Sequence, residues 1–236
     1  MYTFDSRIRY SETGEDGRIT LSAIIDYLQD CTNFHSEDMG MDIAFHMEKQ
    51  LMWVLNSWQI VIEQYPKMGE KITIGTQAYG YDKMTGYRNF LITDSQGNTI
   101  VKANSVWVLM DLKKMRPMMI PEFMIETYEL GEPIEMEYAP RKIKIPGEGT
   151  PGKSFLVREH HLDTNHHVNN RQYVQMAMLS LEEKITVAEV RVEYKRQAVL
   201  GDSITPVIWK ESEKEIYVSL NDEKMKPYAV VQFFAL

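Results

Sequence analysis

The sequence predicts an α+β fold built twice over. A segment of helical period is followed by a run of strand-like segments, and the same order recurs in the second half. Six of the nine prolines fall between Pro117 and Pro151. Fixed φ and missing donors disfavour long helices and central strands there, so the stretch reads as an extended crossover. Short segments also answer each other across that divide. "MGEKITI" (68–74) matches "LGDSITP" (200–206), each a glycine and an acid before a strand. "DSQGNTIVKANSVWV" matches "NDEKMKPYAVVQFF", each a turn and then a long strand. The expected boundaries are a first half over 1–116, a crossover over 117–151 and a second half over 152–236.

In the first half, "TLSAIIDYLQDCTNF" puts Leu21, Ile24, Ile25 and Leu28 on one helical face, with Thr20 as the N-cap. Cys31 falls near that face and reads as a small buried hydrophobe rather than a nucleophile. Strands are expected at "LMWVLNSWQIVIEQYP", "EKITIGTQAYGY", "YRNFLITDS" and "TIVKANSVWVLMD", with "SQGN" as a hairpin turn. In the second half, "NNRQYVQMAMLSL" reads as the helix. "VAEVRVEYKRQAVLG", "DSITPVIWK", "EIYVSLND" and "PYAVVQFFAL" read as its strands.

Composition narrows the function. The 236 residues are 44% hydrophobic and 25% charged, enough for a sizeable core. A net charge of −8 argues against a nucleic-acid binder and against an anionic membrane surface. No apolar run nears the ~18 residues of a membrane span, and no apolar leader is visible, so no membrane insertion is expected. The single cysteine fits a reducing cytoplasm.

The chemistry concentrates in "HLDTNHHVNN" (161–170), with three histidines, three asparagines and one aspartate. Asn169 with Gln172 looks like a capping box, so a helix should start at Asn170. Asp163, Asn165 and His167 precede it at alternate positions. An extended loop would aim all three side chains the same way. A helix N-terminus offers free N–H groups and partial positive charge to a developing oxyanion. His167 can then act as a base, Asn165 as a donor, and Asp163 as an orienter, base or nucleophile. Adjacent histidines diverge, and no cysteine or spaced Glu/His pair assists them, so metal ligation is not expected. A solvated loop that merely caps the helix remains the alternative at this point.

"LDTNHHVNNRQYV" resembles the active-site segment of the acyl-acyl carrier protein thioesterases, Asp-x-Asn-x-His-Val-Asn-Asn before a helix. "WVLNSWQIVIEQYPKMGEKITIGT", "WVLMDLKKMRPMMIP" and "VRVEYKRQAVLGDSI" are similar to other segments of that family, in the same order. The resemblance covers most of the chain. It implies a double hotdog fold and hydrolysis of a fatty acyl thioester without metal or organic cofactor. The partner it implies is an acyl carrier protein. Asp163, Asn165 and His167 match catalytic positions, and Asn169 and Asn170 match the helix start. One departure stands out. Plant members carry Glu-Cys after "Tyr-Arg-Arg", where this chain has "YKRQA". Gln197 therefore replaces a carboxylate held to activate water, and Ala198 replaces a thiol. Gln197 can orient water but cannot take a proton.

The resemblance further implies that the first half houses the acyl chain, with Met39, Met41, Met47, Met52 and Trp53 as candidate lining. "KKMR" (113–116) and "RKIK" (141–144) are the candidate basic patches for an acidic carrier. A homodimer is the family-level expectation. Competing readings are a hotdog acyl-CoA thioesterase and a non-catalytic regulator that binds acyl thioesters.

Overall fold

The computed structural model describes all residues from Met1 to Leu236. Two compact units divide the chain: Met1–Asn56 with Ile60–Tyr138, and Ser57–Gln59 with Ala139–Leu236. Thus the 117–151 segment is shared out rather than free. Its first part is gripped by the first unit. The fully buried Asn89 accepts from the Ile134 N–H (3.1 Å) and the Tyr138 hydroxyl (2.9 Å). Gln77 donates to the Glu132 carbonyl, and the Gly131 N–H donates to Ala78 O at 2.9 Å. A Cβ on Gly131 would lie 2.5 Å from the Gln77 side-chain amide, so a larger residue there would displace that side chain. On the other side, the Ala139 N–H donates to Gln59 (2.9 Å) and the Ile143 N–H to Glu193 (3.0 Å), both within the second unit.

The first unit runs β1 (Tyr2–Arg7), a 3₁₀ turn (Tyr10–Glu12), α1 (Leu21–Asp38), α2 (Ile43–Lys49) and β2 (Leu51–Ile62). It continues with β3 (Lys71–Asp82), β4 (Thr85–Asp94), β5 (Thr99–Asp111), β6 (Arg116–Pro117) and α3 (Glu122–Thr127). Its strand order is β1-β3-β4-β5-β2, with β6 beside β5. Thr20 caps α1 by accepting from the Ala23 N–H at 3.2 Å. Ile24, Ile25, Leu28 and Cys31 are fully buried on its inner face. Each such aliphatic side chain contributes roughly 1.5–3 kcal/mol on leaving water. β1, the 3₁₀ turn, α2, β6 and α3 go beyond the sequence reading. Met41 joins the buried cluster of Leu51, Ala78, Leu109, Ile120, Met124 and Tyr128, and Trp53 packs against it. Met39 and Met47, expected in the lining, are exposed instead: Met39 is the C-cap of α1, and Met47 lies on the short α2, which buries no residue.

Arg88 of β4 is buried in this unit. Its Nη1 donates to Thr76 Oγ1 (3.2 Å) and lies 3.0 Å from His35 Nδ1 of α1, and its guanidinium sits over the Tyr128 ring. Burial, with Arg88 beside it, pushes the His35 imidazole down to about 4.

The second unit runs β7 (Thr150–Pro151), β8 (Phe155–Leu156), a 3₁₀ turn (Glu159–His161), α4 (Asn170–Leu179), β9 (Val187–Tyr194), β10 (Ser203–Lys210), β11 (Glu215–Asn221) and β12 (Pro227–Ala235). Its order is β9-β12-β11-β10-β7, with β8 also against β10. Tyr173, Val174, Met176 and Ala177 form the buried face of α4, which packs on β11 and β12. The strand expected over 187–201 stops at Tyr194, because the Lys195 and Arg196 amides both turn onto Tyr228 O (2.8 and 3.1 Å).

The two units repeat each other bond for bond around the entry to their long helices. Gly14 N–H donates to Arg18 O at 2.8 Å, and Asp163 N–H to His167 O at 2.8 Å. Ile19 N–H reaches Pro66 O, and Val168 N–H reaches Ala198 O, both at 2.9 Å. Thr20 N–H reaches Glu12 O, and Asn169 N–H reaches His161 O, again both at 2.9 Å. The Lys67 amide donates to Glu70 and the Val199 amide to Asp202, each at 3.0 Å. The duplication expected from element order is therefore present at the level of individual hydrogen bonds. No helix is long and apolar enough to cross a membrane.

Candidate active site

The loop from Leu162 to Val168 is a tight hairpin closed by a bridge between those two residues. It is not extended, so alternate spacing does not align its side chains. His166 takes a left-handed conformation at φ 60°, and its N–H donates to Asp163 O at 3.1 Å. The turn is held by Asp163, whose Oδ1 accepts from the Asn165 N–H (2.8 Å) and the His167 N–H (3.2 Å). One carboxylate oxygen is thereby committed to the backbone, the Asx-turn use of an aspartate.

Asn169 caps α4 by accepting from the Arg171 N–H at 3.0 Å. The expected return bond from Gln172 is not made. That side chain is buried with the core face of the helix, and only its N–H meets the Asn169 carbonyl, at 2.9 Å. The loop thus delivers its side chains just ahead of the positive end of a ten-residue helix.

His167 is half-buried, and its Nδ1 is sealed from solvent without a hydrogen-bond partner. Its backbone bridges Val199 on the segment after β9. Asn165 is exposed at the turn. Asp163, Asn165 and His167 are thus brought together in one turn. Gln197 is exposed and makes no hydrogen bond to any of the three. It is tied to them only through its neighbours, Ala198 and Val199.

Sequence reasoning passed over the residues that hold this frame. The Tyr173 hydroxyl accepts from the Ala198 N–H at 2.8 Å, and the Tyr194 hydroxyl donates to Asn170 O at 3.0 Å. Both phenols are buried, which pushes their ionisation up. A tyrosine on an apolar helix face was the available signal, since a buried hydroxyl needs a partner. His161 closes the preceding 3₁₀ turn, its Nδ1 accepting from the Arg158 N–H at 2.9 Å. Burial, then His160 and Arg158 nearby, holds it below the usual histidine range. Cys31 lies fully buried in the first unit, where burial pushes its thiol up to about 12, the environment of an inert thiol. No group of three or more His, Cys, Asp or Glu side chains is placed to hold a metal ion.

The family models decide the assignment. The acyl-ACP thioesterase N-terminal domain matches residues 1–128, and the acyl-ACP thioesterase C-terminal domain matches residues 148–230. This chain belongs to the acyl-ACP thioesterase family. Among similar acyl-ACP thioesterases, the chloroplastic palmitoyl-acyl carrier protein thioesterase of Arabidopsis thaliana is 27% identical over 207 residues, 80% of this chain and 50% of that one. The chain therefore spans about half the length of that curated relative. An acyl-ACP thioesterase structure from Bacteroides thetaiotaomicron superposes with a TM-score of 0.89 at 23% identity, covering 98% of this chain and 96% of the other. The 12:0-ACP thioesterase of Umbellularia californica superposes at 0.84 with 19% identity, covering 99% and 96%. The fold is the α+β double hotdog of these acyl-ACP thioesterases.

Proposed function

We propose that this chain hydrolyses the thioester between a fatty acyl chain and acyl carrier protein, releasing free fatty acid and the carrier thiol. The observation that carries the reading is the His167 imidazole. It stands in a loop shaped by Asp163, directly ahead of α4, with a buried Nδ1 that no protein group satisfies. A buried ring nitrogen without a partner marks a place where substrate or an attacking water completes the set.

In this reading His167 takes a proton from water as its oxygen bonds to the carbonyl carbon. The carbonyl oxygen gains charge facing the positive end of α4, and Asn165 supplies an amide donor. The carbon–sulfur bond then breaks, and the proton passes to the departing thiolate. Asp163 acts as a positioning residue, since its Oδ1 is engaged with the loop amides. Gln197 orients water and takes no proton. The first unit receives the acyl chain near Met41, Trp53 and Met124. The setting is a reducing cytoplasm, in keeping with a free, buried Cys31.

Free fatty acid release from matched acyl-ACP and acyl-CoA panels tests this, with His167→Ala alongside wild type. Loss of about 10²–10⁴-fold in kcat/KM with an unchanged circular dichroism spectrum is expected, together with a lower KM for the carrier-linked substrates. Wild type that binds acyl thioesters but turns over neither panel would overturn the hydrolase in favour of a regulator.

A further inference from the structure

Beside the catalytic loop, within the second unit, lies an open groove of about 580 Å³. Residues 156–160 form one wall, and Leu200 and Gly201 the other. The mechanism above does not use it. The first unit shows why it exists, because the same place there is filled. Arg7 stands where the second unit has Leu156. Its Nε donates to Gly69 O at 2.7 Å, and its guanidinium covers Gly69, 3.6 Å from where a Cβ would be. Over the matching Gly201 there is open space, with nothing within 4 Å of a Cβ.

The charges differ in the same direction. In the first unit, Glu12 accepts from the Arg9 backbone N–H at 2.8 Å and pairs with the Arg9 guanidinium at 2.6 Å. In the second, His161 takes over only the backbone duty to Arg158. The Arg158 guanidinium is left without a carboxylate partner at the groove's rim, next to the exposed His160. Glu159 is the one acid in the lining.

The floor leads to the chemistry. Val199 bridges His167, and Gly201 N–H donates to Val157 O at 3.1 Å. Leu156, Val199 and Leu200 are all substantially exposed along this path. A ligand suited to it has an anionic group at one end, an aliphatic middle and a reacting group at the loop.

We propose that the groove seats the phosphopantetheine arm of the carrier protein, with Arg158 and His160 on the phosphodiester and Leu156 and Leu200 on the aliphatic segment. This rests on the thioesterase reading above. The volume suits a small-molecule arm, and guanidinium–phosphate pairing supplies the anchor.

The experiment measures steady-state hydrolysis by the full chain of three thioesters of one fatty acid: acyl-pantetheine, acyl-4′-phosphopantetheine and acyl-carrier protein. Arg158→Gln should raise KM about tenfold for the two phosphate-bearing substrates. Its kcat, and its KM for acyl-pantetheine, should not change. His161→Glu, which rebuilds the Arg9–Glu12 pairing around Arg158, should raise the same two KM values with the arginine still present. Leu156→Arg, which fills the groove as Arg7 does, should raise KM for all three. A KM that ignores Arg158, or shifts equally with and without the phosphate, overturns the groove while leaving the thioesterase intact. Wild type that hydrolyses none of the three overturns both readings.

Discussion

Around Arg9–Thr20 and Arg158–Asn169 the chain makes the same 3₁₀ turn, the same tight hairpin and the same capped helix start, with matching hydrogen bonds throughout. The side chains on that shared backbone diverge. Gly14 stands where Asp163 does, Asp16 where Asn165 does, Gly17 (φ 70°) where His166 does, and Arg18 where His167 does. Arg18 donates from Nη1 to the Tyr65 carbonyl at 2.7 Å, whereas His167 keeps a buried nitrogen open. One loop is closed upon itself and the other has unmet valences, the local inconsistency expected of a functional site. Backbone hydrogen bonds repeat the frame, and the side chains set on it differ.

The largest expected effect comes from making the second loop like the first. His167→Arg should remove about 10²–10⁴-fold of kcat/KM for acyl thioesters while leaving the melting temperature near wild type. A variant that retains activity would break the comparison, because it would make the open imidazole dispensable.

Next is the support under the loop. Pro66, at the place of Ala198, has no N–H, and Ile24 stands where Tyr173 does, whereas Ala198 has an N–H and gives it to Tyr173. Tyr173→Phe leaves that buried amide unpaired and should cost about 1–3 kcal/mol in urea denaturation. In an Ala198→Pro background, which removes the donor as the first unit does, the same change should cost much less. Equal costs in both backgrounds would show that the phenol acts through packing alone.

The helix caps differ less. Asn169→Ala should lower stability by about 1 kcal/mol, and Thr20→Ala by a similar amount, each read from the urea midpoint. A much larger cost at Asn169 would mean that the cap also sets the Leu162–Val168 loop.

The last contrast concerns the imidazole packed beside Arg88 and is read as a pH dependence. His35 in the first unit falls to about 4 when folded, against 6.5 when exposed. The unfolded chain therefore binds more protons between those values. His35 contributes stability that is present above about 6.5 and lost as pH falls towards 4. Denaturation midpoints at several pH values should show this decline, and His35→Gln should flatten it. An unchanged slope in that variant would assign the acid sensitivity to other groups.

Much of the fold was readable because periodicity reports burial directly. Leu21, Ile24, Ile25 and Leu28 lie on one helical face and are all buried. Strands β3, β4, β5, β10, β11 and β12 fall where apolar runs between turn residues put them. The misses have local causes. β1 has alternate burial but is short and polar, and α2 buries no residue fully, so neither carries a strong periodic signal. At the candidate site the residue types were legible while their arrangement was not. Asp163 spends its Oδ1 on loop amides because His166 turns left-handed, and periodicity does not report a single positive φ.

The sequence by itself determined the two-fold order of elements, the helix starts at Thr20 and Asn169, and the cluster of polar residues before the second helix. These depend on local propensity and on spacing along the chain. Only the tertiary structure decided that the crossover divides at Tyr138 and that Tyr173 holds the Ala198 amide. Such pairings join residues far apart in the chain or depend on which neighbour fills a space. Their energies exist only once the packing has chosen the partner.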